Sequence, residues 1–328
     1  MNISRLLPAL LLGVGLASAA SPTALAQEAW PTRPVRFLVP WPAGGLNDLI
    51  ARAFNEKVSR SLGQSVVTDF KGGAAGRIGV TEIARAKPDG YTIGMGNLGP
   101  LTIFPSLYRQ MPYSVKDDLI PITMFAASPL VLVVTGDSPI KSAHELVAAA
   151  QAKPGVLNFA SVGLGSPAHL TFELLKKRTG INVVHVPYKG TNESLPAMFA
   201  GDIQTTFDTL PSLLPHINGG RLRALAVTTP QRVPQLPDVP TLKELSLADT
   251  EVASWYALIA PAGTPQPIVE RLYKEYTAAA QLPEIQKLLA DQGLIYLPNT
   301  MAQFQARIAD ETARWAQVIK DNKLEVEQ

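Results

Sequence analysis

Asp48, Asp208 and His169 are the residues best placed in this sequence to move a proton. Each closes an apolar, strand-like run or falls in the first turn of the helix after one. Two carboxylates and an imidazole could serve general acid–base chemistry, as in an exported hydrolase or isomerase. Such an enzyme also needs a nucleophile or a metal, and neither can be assembled here. There is no G-x-S-x-G, no P-loop and no H-E-x-x-H. His144, His169, His185 and His216 do not fall at metal-ligand spacing with one another or with a carboxylate. The chain has no cysteine, which excludes thiol catalysis, thiolate metal sites, disulfides and a cysteine-linked lipid. No catalytic residue, metal or cofactor is therefore expected.

The same stretches suit capture of an anion. Glycine-bearing junctions join strand to helix at Trp41–Asp48, Lys71–Arg77, Gly163–Ser166 and Tyr188–Asn192. A helix start offers unpaired N–H groups and a partial positive charge. In an open α/β sheet, loops at the carboxyl ends of strands face one crevice. Several helix starts would then converge on one small carboxylate without help from an arginine. A single such junction reads as a tight turn and no more; their number points to a cleft.

The individual side chains each carry two readings. Trp41, between Pro40 and Pro42, either walls a ligand site or packs in the interior. Asn47 and Asp48 are helix caps by default and ligand contacts otherwise, with Ala43 and Gly44 supplying backbone. Asn97 and Asp208 end their strands, where cleft and turn residues both occur. His169 reads more readily as a packed or solvated imidazole than as a ligand contact. Lys189, between Tyr188 and Gly190, could donate to an anion. Gly163 to Ala168 spell G-x-G-x-x-A, a superficial dinucleotide fingerprint, but the next strand ends Pro187-Tyr188-Lys189 with no acid for a ribose. Gly163 and Gly165 instead allow close backbone approach, Ser166 caps the helix and Pro167 suits its first position.

These loops need a scaffold, and the pattern supplies an α/β one with mostly parallel sheets. Strands are read at Val35–Pro40, Gln64–Phe70, Tyr91–Asn97, Pro129–Gly136, Val156–Gly163, Ile181–Tyr188, Ile203–Leu210, Leu222–Thr229 and Ser254–Pro261. Helices alternate with them from about Leu46 to Leu62, after Gly76, from Ser142 as N-cap, and from Ser166 to a stop at Gly180. A short one spans Asn192–Gly201, and three follow Pro265, Pro283 and Met301. Pro230–Pro240 reads as a surface loop. The chain has 328 residues, 46% hydrophobic, enough for two cores. Its formal charge of +2 and scattered basic residues argue against nucleic acid. Arg5, the apolar Leu6–Leu16 and the A-x-A at Ala24–Ala26 read as a cleaved export signal.

Together, "WPTRPVRFLVPWPAGGLNDLIAR", "KPDGYTI", "GLGSPAHL", "VPYKG", "WYALIAPAGTP" and "ETARWAQVIKDN" resemble the extracytoplasmic solute receptors of tripartite tricarboxylate transporters, the TctC or Bug receptors. The resemblance covers essentially the whole mature chain, in order. It implies a two-domain, type II periplasmic-binding-protein fold with the ligand cleft between the domains. It implies a signal peptide at 1–26, a first domain from 27–125 and 253–328, and a second from 126–252. It also implies a periplasmic monomer that binds a small carboxylate and meets membrane transporter subunits transiently, without catalysis. The first binding loop falls on Trp41, Ala43, Gly44, Asn47 and Asp48. The clamp of the second domain falls on Gly163, Gly165, Ser166 and His169, with Asp208 and Tyr188–Gly190 nearby. Phe70-Lys71-Gly72 stands where the family more often reads Asn-Arg-Pro. Trp41 and Pro42 replace the usual Phe and Ala, a flatter wall that favours an aromatic carboxylate such as a phthalate-type acid. An extracytoplasmic sensor presenting its loaded form to a signalling partner would share this fold and cleft.

Overall fold

The computed structural model describes residues 30–326, apart from residue 189 and residues 248–250. Lys189 and the signal at 1–26 therefore lie outside the described residues. In chain order the first elements are β1 (Val35–Val39), α1 (Leu46–Leu62), β2 (Val66–Phe70), α2 (Arg77–Ala84) and β3 (Thr92–Asn97). Two short helices, α3 (Phe104–Leu107) and α4 (Val115–Asp118), lead into β4 (Leu119–Thr135). Next come α5 (Ala143–Ala152), β5 (Asn158–Ser161), α6 (Pro167–Thr179), β6 (Val184–Pro187), α7 (Thr191–Ala200), β7 (Thr205–Thr209), α8 (Leu210–Asn218) and β8 (Leu222–Val227). The chain closes with β9 (Ala253–Pro261), α9 (Gln266–Ala280), α10 (Pro283–Asp291) and α11 (Met301–Asp321).

The strands form one curled sheet in the order β2-β1-β3-β9-β4-β7-β5-β6, with β8 on the other side of β4. β2, β1 and β3 are mutually parallel, as are β6, β5 and β7. The sheet is nevertheless mixed rather than mostly parallel, because β9 and β8 run antiparallel to β4 and β7 does too. β4 is the reason. Its sequence, LIPITMFAASPLVLVVT, is apolar along its whole length and buried almost throughout, so it can serve two packed lobes at once. Its N-terminal part pairs with β9, ending at Pro129↔Ala253; from Leu130 onward it pairs with β7 and β8. Pro129 has no N–H to give the ladder, and the exchange of partners occurs there. The expected boundary at 125/126 thus falls inside a continuous strand.

Thr228 ties the two passages between lobes together. Its N–H donates to Leu130 O at 3.1 Å and its hydroxyl to Val252 O at 2.5 Å, while Leu130 N–H donates to the hydroxyl at 3.1 Å. Helix ends follow the local rules. Ser142 and Ser166 cap α5 and α6, Gly180 closes α6 in the left-handed region, and Thr300 with Gln303 forms a capping box on α11. α8 was not visible in the pattern: Pro211 and Pro215 interrupt it, yet it buries Leu210 and Leu213. α11 packs on the first lobe through Phe304, Ile308 and Trp315, and its Asp321 accepts from Lys177 of α6 at 2.7 Å.

Candidate functional site

The register of the sheet brings the carboxyl ends of the parallel strands together. Asn97, last in β3, is opposite Tyr256 of β9, which is opposite Ala126 of β4. Thr209, last in β7, is opposite Leu130 of the same β4. Four residues of strand, about 13 Å, separate those two points. The β3 and β7 ends therefore approach the passage between lobes from opposite sides. Loops at the carboxyl ends of β1, β2 and β3 belong to one lobe; those of β5, β6 and β7 belong to the other.

The first-lobe loops touch. A Cβ placed on Gly76 would stand 2.9 Å from Trp41 Cζ2 and 3.3 Å from Pro100 Cγ; one on Gly72 would stand 3.1 Å from Pro42 Cδ. Trp41 is half-buried, one side packed on the core that holds Phe37 and Phe54. Ala43 and Gly44 are exposed. The structure corrects the capping expectation: Gly45, not Asn47 or Asp48, is the N-cap of α1, and no side chain caps it. Asp48 reaches back instead. One carboxylate oxygen accepts from Gly44 N–H at 2.9 Å and the other from Arg52 Nε, so it fixes the loop. Asn47 Oδ1 and Asn97 Oδ1 are buried with no hydrogen-bond partner, and such atoms need explaining.

In the second lobe, Gly163 holds φ +124° and Gly165 φ +71°, conformations that side-chain-bearing residues avoid. Tyr188 N–H donates to Ser161 O at 2.9 Å, which sets the β6 loop beside the β5 loop. Gly190 is the N-cap of α7, with no side-chain cap. Ser166 Oγ is occupied by His169 N–H, and Gly165 N–H is occupied by His169 Nδ1 at 3.0 Å. His169 is thus a packed residue that shapes the loop. Asp208 is buried rather than part of a surface turn. It accepts from Thr191 Oγ1 and from Thr209 N–H, both at 2.6 Å. Burial pushes its carboxyl above the usual range, against those hydrogen bonds. Burial also raises the Tyr256 phenol, and the Asp208 charge adds to that. Asp208 and Tyr256 therefore feel one another across the junction of the lobes.

The chemistry on offer is hydrogen-bond donation from helix starts. α1, α2 and α7 begin at these loops with neither a side-chain cap nor a proline in the first turn; α6 and α8 begin there too, but Ser166 caps α6 and both carry proline in the first turn. α5 and α11, which begin elsewhere, are capped by Ser142 and Thr300. α9 and α10 also lack caps but carry proline in the first turn, which removes a donor. Tyr256 and Arg77 were not singled out by sequence. Tyr256 sits in an apolar strand, SWYALIAP, where an aromatic reads as core.

Beneath the second-lobe loop, His169 and His185 stack at 3.9 Å and 11°, against Phe159 and Phe172. Burial, then the neighbouring His185 and Lys176 charges, lowers His169 from 6.5 to about 3. Burial and Lys176 lower His185 to about 4. The 3.8 Å approach of His169 Nε2 to Glu173 is therefore not an ion pair at neutral pH. Lys176, which faces the same cluster, pairs with Glu173 at 2.8 Å. Below pH 6.5 the unfolded chain protonates these imidazoles and the folded chain does not. Stability must then fall as pH falls, until the folded values are reached. The denaturant midpoint should drop between pH 7 and pH 5.5, opposed towards the acid end by the raised Asp208 and Glu311 carboxyls, and His185→Gln should flatten the slope. A slope left unchanged by His185→Gln contradicts the assignment.

Comparison with known proteins agrees with this architecture. The model of the tripartite tricarboxylate transporter family receptor matches residues 50–324. Protein BugT of Bordetella pertussis is 36% identical over 322 residues, covering 98% of each chain. Among solved structures, Rpa4515 of R. palustris, determined with adipate, superposes with a TM-score of 0.77 at 35% identity, over 89% of this chain and 97% of that one. MatC of Rhodopseudomonas palustris, with bound malate, gives 0.74 at 28% identity, over 88% and 100%.

Proposed function

The chain belongs to the tripartite tricarboxylate transporter receptor family, whose members are solute-binding receptors rather than enzymes, and on that footing we propose that it captures a small organic carboxylate in the periplasm. The observation that carries this reading is the set of uncapped helix starts at strand ends that approach one passage between two lobes. Each start offers free N–H donors and a fraction of a unit of positive charge. The carboxylate is held by the loops at Trp41–Asp48 and Gly163–Ser166, with Tyr188 and Gly190 nearby and Asn47, Asn97 and Asp208 as the polar side chains of the crevice. Lobes 27–125 with 253–328 and 126–252 turn about β4 and the Thr228 tie, closing over the ligand. The loaded form is handed to membrane transporter subunits.

Adipate and malate in the neighbours support the carboxylate class. Trp41 between two prolines is a flat apolar wall, and for this reason we favour a planar acid of the phthalate type for this chain. Thermal unfolding of the mature protein with a panel of carboxylates tests the reading. A ligand at a hundred times its Kd stabilises by about 2.7 kcal/mol, and Kd should be about 1 μM or lower, about −8 kcal/mol. Phthalates should shift the transition more than adipate or malate do. If no acid shifts it, the receptor reading fails; if only flexible acids do, the planar preference fails.

A further inference from the structure

Arg77 is the first residue of α2, directly after a turn in which Gly73, Ala74, Ala75 and Gly76 all have positive φ. Ala74 and Ala75 are side-chain-bearing residues at +46° and +54°, a conformation that costs of order 1 kcal/mol or more each and tends to mark ligand clamps. The turn presses Gly76 against Trp41 and Pro100, so Arg77 leaves the crevice-side corner of the first lobe. Its guanidinium carbon sits over the Tyr108 ring, 3.7 Å from the ring centre. Tyr108 follows α3, whose Leu107 side chain fills the space over Gly165 of the second lobe.

No carboxylate pairs with Arg77 and nothing accepts a hydrogen bond from its side chain among the described residues; its Nε is buried without a partner. Most other arginines there have an anionic or carbonyl partner, such as Arg36 with Asp69, Arg307 with Glu251 and Arg223 with Gly136 O. Arg221 also stacks on a ring, Phe199, but it is exposed. A half-buried guanidinium with a stranded donor is costly unless something binds it. Stacking fixes the plane of the fork and leaves its two Nη groups, which no acceptor among the described residues engages, for bidentate contact with a carboxylate.

We propose that Arg77, stacked on Tyr108 at the rim where the lobes meet, is a second anion subsite that selects ligands carrying two carboxylates. The proposal rests on the carboxylate-receptor reading and deepens it. One carboxylate is held by the helix starts; the other pairs with the Arg77 fork. A dicarboxylate should therefore bind at least about tenfold more tightly than its monoester, as for adipate against monomethyl adipate and phthalate against monomethyl phthalate. Arg77→Gln should remove that preference, weakening the diacid at least about tenfold while changing the monoester less than about threefold. Arg77→Lys, which keeps the charge but not the fork, should fall between. Isothermal titration of the mature protein with both pairs of acids reads all three. Equal affinity of the unmodified protein for diacid and monoester overturns the subsite without recourse to a variant. So does an Arg77→Gln protein, still cooperatively folded, that keeps the preference. Failure of every acid to bind the unmodified protein overturns the receptor reading instead.

Discussion

Trp255→Ala should destabilise the protein by about 4 kcal/mol or more, the largest effect expected of any single truncation in the first lobe. Trp255 is completely buried in the centre of β9 and meets Phe304 edge-on at 5.3 Å. Removing an indole from a close-packed core typically costs about 3–5 kcal/mol through lost transfer energy and the cavity left behind. A second loss is added here. Trp255 Nε1 donates to Glu311 Oε2 at 2.9 Å, and Glu311 is itself buried on α11. Burial already pushes that carboxyl up, against the pull of Arg307 and of this hydrogen bond. Arg307 donates to Glu311 at 2.9 Å and to Glu251 at 3.0 Å, and Arg314 donates to Glu251 O at 2.9 Å. The network fastens α11 to the segment that re-enters β9. Truncating the indole deprives a buried charge of a donor as well as emptying the site. Chemical denaturation measures the difference, and Trp255→Phe, which retains most of the volume, should cost about 1–3 kcal/mol. A loss below 1 kcal/mol for the alanine variant would show that α11 is secured by other contacts.

Gly165→Val should leave the fold largely intact and reduce carboxylate affinity at least about a hundredfold. Two obstacles coincide at this position. The backbone is at φ +71°, where a β-branched residue is strained. A Cβ would also stand 2.4 Å from Leu107 Cδ2, and Leu107 is buried in the opposite lobe. The contact joins the two lobes, so relief requires them to move apart or the turn that supports His169 to shift, and under the closure proposed above the penalty falls mainly on the closed, liganded state. Gly63, at the far end of α1, is the control: it has positive φ too, but a Cβ there meets nothing within 4 Å. Gly63→Val should strain its own turn without propping the lobes. Titration with the best acid, with circular dichroism to confirm folding, separates the two. Equal affinities for Gly165→Val and the unmodified protein would mean that the lobes do not need to meet there.

Parts of this structure could be read directly from the residues, and the parts that could not share a cause. Ser142, Ser166 and Gly180 mark their helix ends as local chemistry requires. The amphipathic pattern of residues 46–62 becomes α1 with Ile50, Phe54 and Val58 inward. Signals carried over long sequence separations were invisible. β9 lies beside β3 and β4 although more than a hundred residues separate them, and that pairing places Tyr256 next to Asn97 and within reach of Asp208. His169 reads as a packed or solvated imidazole, with only the family resemblance placing it in the clamp; that its Nδ1 accepts from the Gly165 N–H is something only folded geometry reveals. Asp48 resembled a cap and is a brace for Gly44. Nothing in the sequence singles out Arg77, and only the lack of a partner for its Nε distinguishes it.

Amide chemical shifts, followed by NMR while the tightest-binding acid is added, test most directly whether helix starts grip the carboxylate. The backbone N–H signals of Leu46 and Asn47 at the start of α1, and of Thr191 and Asn192 at the start of α7, should move downfield together and saturate at one equivalent. Movement confined to lysine and arginine side chains, with those four amides unchanged, would contradict the account.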